Sequence, residues 1–248
     1  MKMKHILNFS FSLCFLLMFT LAQAQEKPTV KSDSLQVADS IPVKKDRYGL
    51  RVGVDLFKLT RGLYDKNYKG IELTGDFRWN KKYYLAAELG NENKTTEDDR
   101  LTSNSKGSYL KAGFDYNMYE NWLDMENIIS IGLRYGFSSF SQELNSYKIY
   151  NAHPYWSELP AIPTNQEFNG LSASWIEVVT GMKAKMFNNV FVGFSVQLKT
   201  LVTNKKPEGF DNLYIPGFNR TYNGSFGIGF NYSVTYFIPL YKKKVVVK

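Results

Sequence analysis

One cysteine, Cys14, and two histidines, His5 and His153, are all this chain of 248 residues offers to thiol, disulfide or imidazole chemistry. Cys14 and His5 both lie in the N-terminal segment. Beyond residue 24 no apolar run reaches the roughly 20 residues that a membrane helix needs. Mean hydropathy is negative, -0.33. These absences exclude a disulfide scaffold, a cysteine-based metal site and a helical membrane protein. What the chain has is aromatics, 16% of residues with 17 Tyr and 18 Phe. Many aromatics without a membrane helix point to a β-rich protein.

The N-terminus reads as a cleaved signal peptide over residues 1–24. Lys2, Lys4 and His5 form a basic start, Ile6 to Leu21 is apolar, and Ala22-Gln23-Ala24 supplies the small residues for cleavage before Gln25. Cys14 follows Ser12-Leu13, which does not fit a lipoprotein signal. Removing Lys2 and Lys4 with this leader takes the formal charge from +8 to +6. A secreted chain with no basic helix is a poor nucleic-acid binder. Residues 25–46, "QEKPTVKSDSLQVADSIPVKKD", are polar, lack aromatics and read as a flexible linker. Residues 241–248 read as a basic tail, suited to an anionic surface.

Between these, over residues 47–240, apolar and polar residues alternate in eight segments: about 48–59, 69–80, 83–90, 108–118, 127–138, 172–186, 190–202 and 223–238. In "KGIELTGDFRWN", Ile71, Leu73, Phe77 and Trp79 share one parity, and Glu72, Asp76 and Arg78 share the other. The connections at about 80–82, 119–126 and 187–189 are short. Those at about 60–68, 91–107, 139–171 and 203–222 are long. This asymmetry is the habit of outer-membrane barrels. The expectation is an all-β, eight-stranded antiparallel up-and-down transmembrane β-barrel, with short periplasmic turns, long extracellular loops and both termini periplasmic.

Energetics decide which face is inside. An Arg or Lys meeting lipid near the midplane costs roughly 2–4 kcal/mol. Arg51, Arg78, Lys111, Arg134 and Lys183 therefore face the lumen, together with Asp55, Glu72, Asp76, Glu88, Asp115, Glu177 and Lys199. The same face carries glycines such as Gly113, Gly132, Gly136 and Gly229, which relieve crowding inside a narrow closed barrel. Eight strands leave room only for side chains. Buried charges of opposite sign must then pair, which predicts a salt-bridged lumen without an open channel. Tyr48, Trp79, Tyr83, Tyr116 and Tyr236 cluster at the short-turn ends of the apolar face, as an interfacial aromatic girdle does. The competing soluble, lipocalin-like barrel needs no such loop asymmetry.

The segments "RVGVDLFKLT", "KGIELTGDFRWN", "SYLKAGFDYNMY" and "IGLRYGFSSF" carry a resemblance over about 47–240. The chain resembles an uncharacterised family of Bacteroidota outer-membrane β-barrel proteins, a domain-of-unknown-function family with no catalytic residues to transfer. Two linker triplets, Asp33-Ser34-Leu35 and Asp39-Ser40-Ile41, match the O-glycosylation pattern of these bacteria. They equally match common residues in a polar linker.

Signals for chemistry are sparse. His153 lies beside Ser157 and Glu158 in "NAHPYWSELP", but proximity in sequence is not triad geometry. No cofactor or metal is implied. The aromatics Tyr155 and Trp156 in one long loop, and Tyr214 and Phe218 in the last, are candidates for an extracellular binding surface. Packing as a lid over the barrel mouth is the competing reading. The expected partners are outer-membrane lipid and a periplasmic or extracellular protein. The expected role is structural or interactive, with an accessory subunit of an envelope assembly or secretion complex as the alternative. A lipid A-modifying enzyme and a narrow pore stand further behind.

Overall fold

The computed structural model describes residues 43–120, 126–149, 159–220 and 224–246. The strands are β1 (Val43–Asp55), β2 (Tyr68–Arg78), β3 (Tyr83–Asp98), β4 (Leu101–Asn117), β5 (Ile128–Tyr147), β6 (Ile162–Phe187), β7 (Val190–Asn204) and β8 (Phe226–Val246). Each pairs antiparallel with its sequence neighbour, and β8 pairs with β1, so the eight strands form an up-and-down ring. The leader, almost all of the linker with its two triplets, and His153, Tyr155, Trp156, Ser157 and Glu158 lie outside the described residues.

The ring is apolar outside and charged inside. Along β2, Ile71 and Leu73 are about half exposed, while Glu72 and Asp76 on the opposite parity are buried. β5 alternates the same way over Ile128 to Phe140. Outward-facing Leu85, Leu110, Phe114, Leu133, Phe137, Val178, Phe194, Leu198 and Ile228 continue the apolar surface around the ring.

The strands run further than the alternation indicates. β3 and β4 stay paired to Asp98 opposite Leu101, turning through Asp99 and Arg100, where the sequence suggests a long loop. Alternation reports a strand with two unlike faces, and residues 91–98 are polar on both. Side-chain hydrogen bonds from Asn91 to Ser108 and from Asn104 to Asn93 and Thr95 tie this hairpin. β5 and β6 likewise extend to Tyr147 opposite Ile162. β1 and β8 pair at their outer ends, Val43 opposite Val246, so strand replaces the expected linker end and much of the expected basic tail.

A second difference concerns residues 56–64, expected as strand end and loop. They form helix α1 (Leu56–Tyr64). The Asp55 side chain accepts a hydrogen bond from the Phe57 backbone N–H at 2.7 Å, an N-cap that starts the helix where β1 ends. β1 reaches β2 only at Leu50–Val54, and reaches β8 only as far as Ser233. α1 packs against β2 and β8 beyond those points, so it occupies the wall where β1 stops. Phe57 packs on Phe230 at 4.6 Å, and the Thr60 and Tyr232 hydroxyls hydrogen-bond each other. Lys58 is the buried residue of the helix.

The expected girdle also needs one correction. Trp79, Tyr83 and Tyr236 are exposed on the outside, and Tyr116 is half-buried against Tyr83. Tyr48 is buried instead. A register shift between Tyr48 and Gly49 breaks the parity of β1. Tyr48 then stacks on Tyr241 at 5.4 Å and lies under the Arg78 guanidinium.

Candidate functional site

A ladder of ion pairs fills the interior from the short-turn end upward. At the floor, Arg47 of β1 reaches across the ring to Glu126 in the β4–β5 connection, donating through Nε at 2.8 Å and also through Nη2. Its Nη1 donates to Asn189 in the β6–β7 turn at 2.6 Å. Lys185 Nζ donates to the same Glu126 at 2.9 Å. Arg78 approaches Asp46 at 3.7 Å and donates to the Arg47 carbonyl at 2.7 Å. One step up, Asp76 is bound by Arg51 at 2.6 Å and by Lys183. Arg51 sits between the rings of Tyr84 and Phe191.

The middle is the densest part. Lys111 lies 2.8 Å from Glu88, 3.3 Å from Glu72 and 3.7 Å from Glu177. Arg134 Nη2 donates to both oxygens of Asp115, at 2.8 and 2.9 Å. Glu177 also accepts from Trp175 Nε1 at 2.7 Å and lies 3.6 Å from Lys199. Higher still, Lys58 bridges Glu72 at 2.7 Å and Glu92 at 2.6 Å and contacts the Tyr109 hydroxyl. A void of about 10 Å³ behind α1, lined by Asp55, Lys58, Glu72 and Lys199 among others, has room for a single water.

At the long-loop end the β7–β8 loop folds into the ring. Tyr214 donates its hydroxyl to Glu92 at 2.7 Å, the Gly217 N–H donates to the same oxygen at 3.0 Å, and Lys199 donates to the Gly217 carbonyl at 2.8 Å. Phe218 meets Trp175 edge-on at 5.8 Å. With Tyr109, Phe140, Leu171, Ala173 and Ile215 they form one apolar cluster. Gly217 has φ +82°, and a Cβ there would enter the Tyr109 ring. Gly136 is likewise pressed against the Trp175 indole.

The twelve charged residues expected in the lumen therefore all lie on the inner face. Arg78 and Lys183 sit toward the short-turn end, partly exposed, and the rest are buried. Asp55 is buried as well, but its role is to cap α1. Tyr214 and Phe218 are a correction. They are 5% and 0% exposed and belong to the plug, so they offer no outward binding surface. Their aromatic bulk is used inward because the Tyr109, Phe140 and Trp175 side chains leave an apolar mouth to fill. Sequence reasoning misses Lys58, Glu92, Glu126 and Arg47. Glu92 shares the parity of Glu88 and was detectable. Lys58 was hidden by the helix, and Glu126 by its place in a connection.

Glu126 gives the floor a pH dependence. Burial alone would raise its carboxyl, but the hydrogen bonds from Arg47 and Lys185 outweigh this and hold it below the usual range. A depressed folded-state value stabilises above the unfolded value of about 4.3. That stability is lost as pH falls through the folded value. We expect Glu126→Gln to lower stability by about 1–2 kcal/mol at pH 7, a charge-assisted pair discounted for partial exposure. The gap from the unsubstituted protein should start to narrow below about pH 4.3 and close as pH falls through the lower folded value. Urea midpoints in detergent at pH 7 and pH 3 check this; an equal gap at both would refute it.

No curated protein and no solved structure matches the chain. A family model described as "Domain of unknown function (DUF6048)" matches residues 6–243, nearly the whole length, and the chain therefore belongs to that family.

Proposed function

We propose that this protein is an integral outer-membrane β-barrel with a closed, salt-bridged lumen, acting as a structural or interaction protein of the cell envelope rather than as an enzyme or a pore. The observation that carries this reading is the inversion of the ring: Leu73, Leu89, Leu133, Phe137, Met182 and Ile228 exposed outside, Lys111, Glu72 and Glu177 buried inside. In water such an outer surface is an aggregation liability far larger than a normal apolar patch. In a bilayer it is the required solvent match, and a closed ring leaves no lipid-facing strand edge except where α1 covers it. Trp79, Tyr83 and Tyr236 at the short-turn end suit the periplasmic interface. The interior supports a closed lumen, since ion pairs and the β7–β8 loop fill it from floor to mouth.

The test is envelope fractionation combined with gel mobility before and after boiling. We expect the protein in the outer-membrane fraction, migrating faster unboiled than boiled. A soluble protein without a heat shift would overturn the reading.

A further inference from the structure

The outward face of β2, β3 and β4 ends on a charged row at the long-loop side. Lys69 stands opposite Asn93, and Asn93 opposite Lys106. All three are exposed and share the outward parity of Ile71, Leu89 and Leu110 on their own strands. Toward the short-turn end the same strands carry Trp79, Tyr83 and Tyr116, with Tyr83 opposite Tyr116. Ten residue steps separate the two rows on each strand, from 79 to 69, from 83 to 93 and from 116 to 106. At about 3.3 Å per step and a tilt of about 40°, the rows stand roughly 25 Å apart. That is the height of the apolar band of an outer-membrane barrel. Aromatics bound the band at one edge, and the lysine row bounds it at the other.

The charge of this row is not consumed within the ring. Among the described residues, Lys69 and nearby Lys66 form no ion pair. Lys106 reaches Glu167 only at 3.9 Å, with both side chains at least half exposed. Asp65, next to Lys66, is taken by Lys94 at 2.8 Å and by Arg61 at 3.4 Å. Glu97, the next carboxylate on the outward parity of β3, stands four residues beyond Asn93. Asn93 Oδ1 accepts from Asn104 at 2.7 Å, which leaves its Nδ2 to donate elsewhere. Lys69 and Lys106 are two strand spacings apart, about 9.5 Å, so their side chains can converge on one anion. Beside them the end of α1 exposes Leu63 and Tyr64. A hydrogen bond of 3.0 Å from the Tyr68 N–H to the Asp65 carbonyl holds that end next to β2.

We infer that this row binds the phosphate group of an outer-leaflet lipid, with Lys69 and Lys106 as the cations, Asn93 as a donor, and Leu63 and Tyr64 against the lipid's apolar part. The inference rests on the membrane reading above, which places the long-loop end at the outer leaflet. Position chooses the occupant. The row lies where the apolar surface of β2, β3 and β4 stops, the level at which a lipid's headgroup begins. A lipid is kept there by its chains, so the lysines need only select among headgroups, and an ammonium group is a point charge suited to phosphate. A free phosphate would depend on the same exposed lysines alone, and salt screens such charges.

The experiment reconstitutes the full chain in vesicles of nine parts phosphatidylcholine to one part phosphatidic acid. The protein is re-extracted in dodecyl maltoside, and retained lipid is measured by mass spectrometry. We expect phosphatidic acid enriched roughly tenfold over its share of the vesicles, the selectivity of two lysines near an anionic headgroup. Lys69→Gln/Lys106→Gln should lose the enrichment, and Lys69→Arg/Lys106→Arg should keep it. Lys81→Gln/Lys82→Gln, in the β2–β3 turn at the opposite edge of the band, should keep it too. These side chains are exposed, so the variants should retain the heat-dependent mobility. Four outcomes would overturn the inference: no enrichment, equal enrichment in the Lys69/Lys106 glutamine variant, equal loss in the Lys81/Lys82 variant, or equal retention of oleate, which carries charge without phosphate. Displacement of the lipid by millimolar inorganic phosphate would overturn the lipid as occupant. A protein that inserts in the vesicles without enrichment sinks this inference alone, whereas one that does not insert sinks the membrane reading.

Discussion

Replacing Lys111 with methionine is expected to destabilise the protein by about 3–5 kcal/mol, the cost of removing one partner from a buried ion cluster. Lys111 is 1% exposed and serves Glu88, Glu72 and Glu177 at once. Methionine fills nearly the same volume, so the loss is electrostatic rather than a cavity. Three carboxylates are left facing one another, with Lys58, Lys199 and Arg134 as the cations beside them among the described residues. Adding Glu88→Gln should recover part of the loss, because it removes the carboxylate closest to the missing ammonium. Double-mutant unfolding in detergent measures that coupling. Additive losses would mean that the interior is wet enough to screen the pair, and the closed-lumen reading would fail with it.

Gly217→Val should expel the plug and leave the ring standing. A β-branched residue at φ +82° is strained by its own backbone, and its Cβ would overlap the Tyr109 ring. The loop cannot shift slightly to adapt, since Glu92 and Lys199 hold both sides of the same peptide segment. Leaving the ring forfeits the burial of Phe218, a loss of about 3–5 kcal/mol judged from large-to-small core changes. Limited chymotrypsin digestion reads the result. Tyr214 and Phe218 are buried in the native protein and should resist. In the variant both should be cut while the heat-dependent mobility persists. Equal resistance in the two proteins would show that the loop tolerates the substitution and is not latched as described.

The wall of this ring was legible in the sequence wherever its two faces differ. "KGIELTGDFRWN" places Glu72 and Asp76 inside and Ile71, Leu73 and Trp79 outside, as the two-residue period requires. Legibility ends where the environments on the two sides become alike. The outer half of the β3–β4 hairpin is polar on both faces, so its strand character leaves no periodic trace. It also fails at Tyr48, where one irregular residue step reverses parity and no composition signal announces it.

The sequence by itself determined the all-β class, the strand order and the inward turn of the charges that lie on alternating strands. These follow from local alternation and from the cost of leaving a charge in an apolar surrounding. Only the tertiary structure decided which charge meets which. Lys111 could pair with any nearby carboxylate, and the choice of Glu88, Glu72 and Glu177 depends on strand register and stagger around the closed ring. The same holds for Lys58, brought to Glu92 by a helix in the wall, and for Arg47, whose partner Glu126 lies 79 residues away. Local pattern records the solvent on each side of a strand, whereas partners across the interior are set by closure, which no local segment encodes.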